Sequence, residues 1–178
     1  MTRDKRGRVR WSLFGVAVLA LITMGSSSWA LNSETNRATL RGLRGVRVLV
    51  EDLPPEVEQE GLTKTQLQAD LELKLRTAGI KPLTQEECFK TPGEPYLYIN
   101  INLNTLKTEG DRYSYSIDIG LIQNVTLQRT PGQTTYAITW STGGVGLIGK
   151  KRLAELQDSV GDLFSIFVKA FLSVNPKK

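Results

Sequence analysis

The sequence predicts an α+β fold of two layers, in which a mixed and mostly antiparallel sheet carries two helices on one face. Two segments have apolar residues at helical spacing, which predicts amphipathic helices. The segments between them alternate apolar and polar residues, which is typical of strands with one buried face. The resulting order, β-α-β-β-β-β-α, leaves room for one βαβ crossover, so most strand pairs are expected to be antiparallel.

The first predicted strand and helix follow each other closely. Residues 46–50 form a short β-branched run, and a Pro-led acidic loop follows at residues 53–61. Thr63 and Gln66 fit a capping box, and Gly79 stands where a helix commonly ends in the left-handed conformation. The apolar stripe of this helix consists of Leu67, Leu71, Leu75 and Ala78.

Four further strands are predicted before the closing helix. Residues 80–83 are typical of an edge strand, because Pro82 cannot donate to a ladder. Tyr96–Thr105 and residues 113–129 alternate along their whole length. The second of these is long for one strand, so Gly120 is expected to mark a bulge or bend.

The last strand and helix complete the predicted domain. Residues 135–142 place Tyr136, Ile138 and Trp140 together on one face. Residues 151–172 form a strongly amphipathic helix, and the Asn-Pro pair that follows ends it.

The N-terminal residues have the three-part layout of a secretory signal peptide. Five basic residues precede an apolar run at 11–24, and small side chains at Ser28 and Ala30 place a cleavage site after Ala30. The run is shorter than the roughly 20 residues that a membrane-spanning helix needs. We therefore expect an exported protein, periplasmic or extracellular, with an uncleaved N-terminal membrane anchor as the alternative.

The same division sets the predicted domain boundaries. Residues 1–30 are the signal peptide, and residues 31–44 are polar and aperiodic, which predicts a tether. Residues 45–178 are expected to form a single α+β domain with its own core.

The net charge argues against a nucleic-acid partner. The chain carries 23 Lys and Arg against 18 Asp and Glu, but the signal peptide holds five of these bases and one acid. The remaining chain is almost neutral, at 18 against 17. Binding to nucleic acid depends on a basic surface, so the sequence predicts no such partner.

The residue inventory excludes several enzyme classes. There is no histidine, which excludes Ser-His-Asp triads, Cys-His pairs and His-ligated metal sites. The one cysteine, Cys88, is predicted to be a structural residue, with a disulfide-linked dimer as the alternative. No pair of carboxylates has an evident catalytic partner. We expect a protein without catalytic residues, metal or cofactor.

A glycine-rich stretch matches two phosphate-binding patterns. Its glycines fit G-x-G-x-x-G, and the lysine after them completes most of a P-loop. However, Lys151 stands where a P-loop needs a Ser or Thr hydroxyl, and no further strand follows for a dinucleotide fold. We therefore predict a flexible connection between the last strand and the closing helix. The alternative is an anion- or phosphate-binding protein, or an enzyme, that uses Gly144, Gly146, Gly149, Lys150 and Lys151.

The polar face of the predicted sheet is the favoured binding surface. Asn is a poor strand former, yet three asparagines share one face of Tyr96–Thr105. Tyrosines extend that row, and polar residues of the next strand lie beside it, a composition typical of adaptable binding surfaces. The candidate residues are Tyr96, Tyr98, Asn100, Asn102, Asn104, Ser114, Ser116 and Asp118. The alternative is the ordinary wetted face of a two-layer fold.

The order of elements resembles the periplasmic domains of envelope-assembly proteins. The similarity is carried by residues 46–50, the helix that ends at Gly79, and the paired strands 96–103 and 113–121. Proteins of this layout are the curli-secretion lipoprotein, the penicillin-binding-protein activators and the N-terminal domain of the Tol-Pal translocation protein. The chain is also similar to an uncharacterised bacterial secreted family. It lacks the lipoprotein cysteine that several of these proteins carry.

This resemblance implies an accessory role in the cell envelope. We therefore expect an exported, non-enzymatic binding or accessory module that contacts an envelope protein or a cell-wall component. The contact is expected through the polar sheet face or a sheet edge. Self-assembly through the edge at residues 80–83 is a further alternative.

Overall fold

A computed structural model describes residues 30–106 and 112–176 of the chain. The predicted signal peptide, apart from Ala30, and most of the predicted hairpin loop after Tyr96–Thr105 therefore lie outside the described residues. Within those ranges the chain forms an α+β fold with an open four-stranded sheet, which confirms the predicted fold class.

The sheet is mixed and has the strand order β1-β2-β3-β4. β1 and β2 run parallel, because a crossover that contains helices connects them, and the other two pairs are antiparallel. The strands are β1 (Arg47–Val50), β2 (Tyr96–Thr105), β3 (Arg112–Thr126) and β4 (Thr134–Gly149).

Two long helices cover one face of this sheet, as the sequence predicts. The described residues form the helices α1 (Glu34–Ala38), α2 (Pro55–Gln59), α3 (Lys64–Ala78), α4 (Gln85–Phe89) and α5 (Leu156–Val174). The long helix α3 packs on β1, α5 packs on β3 and β4, and the two contact each other. A 3₁₀ helix, Lys150–Glu155, leads from β4 into α5. None of the described helices is both long and apolar enough to cross a membrane.

The N-cap and the stop of α3 are confirmed, whereas the reciprocal bond of a capping box, from the Gln66 side chain to the Thr63 backbone, is not found among the described residues, and Ala78 is only partly buried. The Thr63 hydroxyl accepts a hydrogen bond from the Gln66 backbone N–H over 3.2 Å, as an N-cap does. Gly79 ends the helix with φ 79°, a conformation that glycine adopts without steric cost. The apolar stripe is buried at Leu67, Leu71 and Leu75.

The core lies between the helices and the inward face of the sheet. An aromatic cluster on α5 meets β4, where the rings of Trp140 and Phe167 lie 5.3 Å apart in an edge-to-face arrangement. Trp140, Phe164 and Phe167 are fully buried. The β2 and β3 side chains under this cluster are Leu97, Ile99, Ile101, Ile117, Ile119 and Leu121.

The segment predicted as a polar tether folds against the domain instead. It forms α1, and Leu40 is fully buried. The Asn36 side-chain amide donates to the Thr139 carbonyl over 3.1 Å, and the Asn175 amide donates to the Leu40 carbonyl over 2.9 Å. The prediction failed because these partners lie more than 100 residues away along the chain.

Residues 80–83 do not form a strand; they make a single bridge to Val46, the residue just before β1. Pro82 is bridged to Val46, whose N–H donates to the Lys81 carbonyl over 3.1 Å. The Leu83 N–H donates back to the Val46 carbonyl over 2.9 Å. The ladder extends no further, because Pro82 has no N–H.

The strand β4 extends to Gly149, so the predicted flexible connection is wrong. β4 pairs with β3 without interruption from Trp140 to Gly149. The bulge expected near Gly120 lies next to it, between Leu121 and Ile122, where one residue of β4 has no opposite partner.

The bulge also separates side chains that the sequence places together. Leu121 lies opposite Trp140, whereas Ile122 lies opposite Ile138. The alternation of β4 side chains is therefore broken between Ile138 and Trp140, and these two side chains point to opposite faces of the sheet. Trp140 is fully buried, while Tyr136 and Ile138 are 51% and 53% exposed on the other side of the sheet. The predicted common face of Tyr136, Ile138 and Trp140 is therefore wrong.

Candidate functional site: a trough on the open sheet face

The eight predicted binding residues share the sheet face that the helices leave uncovered, here called the open face. The register of β2 and β3 places them side by side across the two strands. The pairs on this face are Tyr96 with Ile122, Tyr98 with Gly120, Asn100 with Asp118, Asn102 with Ser116, and Asn104 with Ser114. The structure thus brings the predicted residues together on one surface.

A trough runs along β3 on this face. Its floor consists of Gly120 and the short side chains of Ser114, Ser116 and Asp118. Its two walls are formed by β2 and β4. A depression of about 750 Å³ covers the half near Gly120, and another of about 420 Å³ covers the half near Ser114. The two depressions meet at Val145.

The β2 side of the trough is a polar wall formed by Tyr98, Asn100, Asn102 and Asn104. The Asn100 amide donates to the Glu51 carboxylate, and the Asn102 amide donates to the Asn100 oxygen. A longer contact of 3.4 Å joins the Asn102 amide to the Ser116 hydroxyl on the floor.

The Tyr98 hydroxyl belongs to the same network. Its pKa is raised above the ordinary value, chiefly because it hydrogen-bonds to the Glu51 carboxylate and secondarily because of burial. Tyr98 is therefore protonated over the physiological range, and the polar wall presents hydrogen-bonding groups without a phenolate.

The β4 side is an aliphatic wall formed by Ile138, Val145 and Leu147. Val145 is 80% exposed and Leu147 is 66% exposed, and together with Ile138 they place several exposed apolar side chains on one wall, which is more informative than a single exposed leucine. This wall was not predicted, because the glycines around Val145 and Leu147 indicated a loop. The alternation Val-Gly-Leu-Ile-Gly at residues 145–149 continues a strand pattern and was the available signal.

Asp118 stands in the middle of the floor beside a glycine of β4. A β-carbon at Gly143 would come within 2.9 Å of an Asp118 carboxylate oxygen and 2.7 Å of the Ile117 carbonyl oxygen. The glycine therefore leaves the space in which Asp118 lies. Within the described residues, no lysine or arginine forms an ion pair with Asp118.

Tyr96 lies at the far end of the open face, against Tyr136 of β4. The two rings are 6.3 Å apart and edge to face, and the Tyr136 hydroxyl donates to the Glu94 carboxylate over 2.5 Å. This contact raises the pKa of Tyr136. Glu94 has φ 43°, a left-handed conformation that is rare for glutamate. The loop before β2 thus holds this end of the face in place.

The residues of the anion-binding alternative do not form a phosphate loop. Gly144, Gly146 and Gly149 belong to β4, and Lys150 and Lys151 open the short 3₁₀ helix. A β-carbon at Gly144 would touch Leu163 of α5 at 3.6 Å, and one at Gly146 would overlap the Tyr115 ring. These two glycines face the core side, where they make room for apolar neighbours. The geometry that a phosphate cradle needs, a loop of converging N–H groups, is not formed by this strand.

No other feature of the described residues forms a binding site as well defined as the trough. No group of three or more Cys, Asp and Glu side chains in the described ranges could hold a metal ion. Cys88 is buried, and its thiol lies 3.5 Å from the Pro95 carbonyl oxygen. A groove of about 780 Å³ separates α3 from α5, but a hydrogen bond from Gln157 to Asp70 already bridges it.

Comparisons with known proteins leave the function open. No protein-family model matches the chain, and no curated protein matches it. The resemblance to envelope-assembly domains therefore stays a prediction.

Proposed function

We propose that the protein is an exported, non-enzymatic binding module of the cell envelope, and that its trough holds a segment of a partner protein. The observation that carries this proposal is the contrast between the two walls. A polar wall and an aliphatic wall face each other across a floor of small side chains, and none of the described helices covers them. Exposed apolar surface rimmed by polar groups is typical of interaction sites.

The chemistry of the trough favours a polypeptide partner over a glycan. Val145 and Leu147 need apolar side chains to cover them, which a glycan strand does not provide. The asparagine amides of the polar wall can donate hydrogen bonds to a peptide backbone and accept hydrogen bonds from it. The Asp118 carboxylate favours a lysine or arginine side chain at the centre. We therefore infer an amphipathic segment with an apolar edge and a cationic residue.

The surroundings of the floor hydroxyls support binding and not catalysis. The Ser114 hydroxyl lies 3.5 Å from the Asn104 carbonyl oxygen, and the Ser116 hydroxyl lies 3.4 Å from the Asn102 amide. Neither contact supplies the general base that a nucleophilic serine requires. Export is supported by the signal-peptide layout of residues 1–30.

The proposal is tested by site-specific crosslinking in intact producing cells. A photoreactive amino acid replaces Asn104 in the trough or, as the control, Leu73 on the exposed side of α3. Captured species are identified by mass spectrometry, which also reads the mature N-terminus. We expect the photoreactive residue at position 104 to capture a partner protein, and the one at position 73 to capture none.

Substitutions in the trough must then abolish that capture. Asn102→Lys with Ser116→Lys fills the trough with two long cations, whereas Lys150→Ala with Lys151→Ala tests the anion-binding alternative. We expect loss of capture in the first variant and wild-type capture in the second. The reverse result would overturn the proposal in favour of the anion site. Capture of glycan alone would overturn the polypeptide assignment.

A further inference from the structure

The two edges of the sheet differ in how they are protected. β1 is a short strand of four residues, and residues 81–83 pair with Val46, the residue just before it. Short, covered strands are a common protection against edge-to-edge pairing. β4 is the opposite edge and is the longest described strand, with 16 residues.

Among the described residues, the N-terminal segment contacts the β4 edge at Thr139 and Ser141. The Ser141 N–H donates to the Leu31 carbonyl over 3.2 Å, so this N–H points away from β3. Backbone direction alternates along a strand, so the N–H and C=O groups of Val145 and Leu147 point the same way. Among the described residues, no backbone hydrogen bond reaches Val145 or Leu147 from that side.

The part of β4 around Val145 and Leu147, which no described residue covers, lacks the usual protection against pairing. No charged residue and no proline occurs from Gly132 to Gly149. Natural edge strands commonly carry lysine, proline or an inward-pointing charge to prevent association. Val145 and Leu147 instead present two large and mostly exposed aliphatic side chains.

We propose that this stretch pairs with the same stretch of a second copy of the chain. A two-fold axis at Gly146 places Val145 of one copy opposite Leu147 of the other, and the reverse. Both residues have outward backbone groups, so both pairs exchange N–H···O=C bonds, as the hydrogen-bonded pairs of an antiparallel ladder do. The chain after residue 30 is almost neutral, so net charge opposes association only weakly.

The pairing goes beyond the proposed trough function and does not rest on it. It joins two four-stranded sheets into one continuous sheet. The aliphatic walls of the two copies then meet in a ridge, and one trough lies on each side of it. The contact is a single short strand pair, so it falls below the roughly 1,200–2,000 Å² of standard interfaces and the dimer is expected to be reversible.

Analytical ultracentrifugation of the chain purified from producing cells tests the proposal, with the mature N-terminus identified by mass spectrometry. The wild-type protein is expected to shift from monomer toward dimer as its concentration rises, as a small and reversible interface does. Val145→Pro removes one outward N–H per copy and should lower the association constant by roughly tenfold. Leu73→Lys, a change at an exposed leucine of α3, should leave it unchanged.

A pair of charged variants distinguishes two-fold pairing from non-specific association and from misfolding. Val145→Glu and Leu147→Lys should each weaken self-association. Mixing them should restore dimers, because the two-fold register sets the introduced carboxylate of one copy opposite the introduced ammonium of the other. Restoration cannot arise from a variant that fails to fold. A wild-type protein that stays monomeric, mixing without recovery, or an equal effect of Leu73→Lys would each overturn the proposal.

The trough variant separates the edge pairing from the trough function. Asn102→Lys with Ser116→Lys alters the trough but not the outward backbone groups, so self-association should persist in that variant. If the trough variant alone abolishes the dimer, the edge assignment is wrong and the copies meet through the open face.

Discussion

The indole N–H of Trp140 donates to the side-chain oxygen of Asn32 over 3.0 Å, across a separation of 108 residues. Trp140 is fully buried beneath α5, and the same Asn32 oxygen also accepts from the Arg37 guanidinium over 2.8 Å. The contact joins the segment before the first strand to the middle of β4. The first described residues are therefore part of the folded domain.

Removal of the Asn32 oxygen should destabilise the protein. Asn32→Ala leaves the buried indole N–H without its described acceptor, and an unsatisfied buried donor costs about 1–3 kcal/mol. Urea unfolding followed by far-UV circular dichroism measures the loss. Thr35→Ala, at an exposed position of α1, is the control. Equal stability of the two variants would show that water replaces the Asn32 oxygen.

Elements with local signals could be predicted from the sequence. The α3 helix carries its cap at Thr63, its stop at Gly79 and its buried stripe within one segment, and all three are found. The open-face residues of β2 and β3 follow from strict alternation in each strand. Where a strand has no bulge of its own, as in β2, its periodicity determines which side chains share a face, so the polar wall was predictable.

The elements that failed depend on contacts far away in the chain. Glycines usually indicate loops, but Gly146 lies in β4 because the Tyr115 ring of β3 occupies the space of its missing side chain. The bulge opposite Leu121 shifts the alternation of β4, so the aliphatic wall could not be assembled from periodicity. The anchoring of Asn32 likewise depends on Trp140.

Two neighbouring glycines of β4 should respond differently to alanine. A β-carbon at Gly143 would lie 2.7 Å from the Ile117 backbone oxygen, so Gly143→Ala should cost about 1–3 kcal/mol, as overpacking does. At Gly144 the nearest contact is Leu163 at 3.6 Å, and Gly144→Ala should be neutral or stabilising by up to about 1 kcal/mol. Thermal unfolding compares them. A larger loss at Gly144 would contradict the described position of β4.

Acid stability should depend on Glu87. Its pKa is lowered from the ordinary 4.5, chiefly by the Lys81 ammonium and then by the Thr84 backbone N–H. The stabilising contribution is therefore complete above the unfolded pKa and is lost as pH falls through the lowered folded value. Glu87→Gln should lower the urea midpoint at pH 7 but not below the folded pKa. The Glu86 carboxylate makes no ion pair with a described residue, so the control Glu86→Gln should leave the urea midpoint unchanged at both pH values.

The Cys88 thiol should react only after the protein opens. It is 2% exposed, and burial is the main cause of its raised pKa. The thiolate is the reactive form, so burial lowers both the access and the reactive fraction. A thiol-specific chromogenic reagent should modify native protein slowly at about pH 8, near the ordinary pKa of a free thiol, and urea-unfolded protein at once. Rapid modification of the native protein would contradict the described packing against Pro95. It would also support the alternative in which Cys88 forms a disulfide-linked dimer.

The Asp118 carboxylate should make binding of the trough partner sensitive to salt. Once crosslinking has identified the partner segment, its affinity is measured for wild-type protein, Asp118→Asn and Asp158→Asn, the last a control on α5. An exposed ion pair contributes about 0.2–1 kcal/mol, so Asp118→Asn should weaken binding by roughly two- to fivefold at low salt. Raising the salt to about 0.5 M should remove that difference, because charges at the surface are then screened. Equal affinity of wild type and Asp118→Asn at low salt would mean that the partner presents no cation at this point, and the aliphatic wall alone would then account for its recognition.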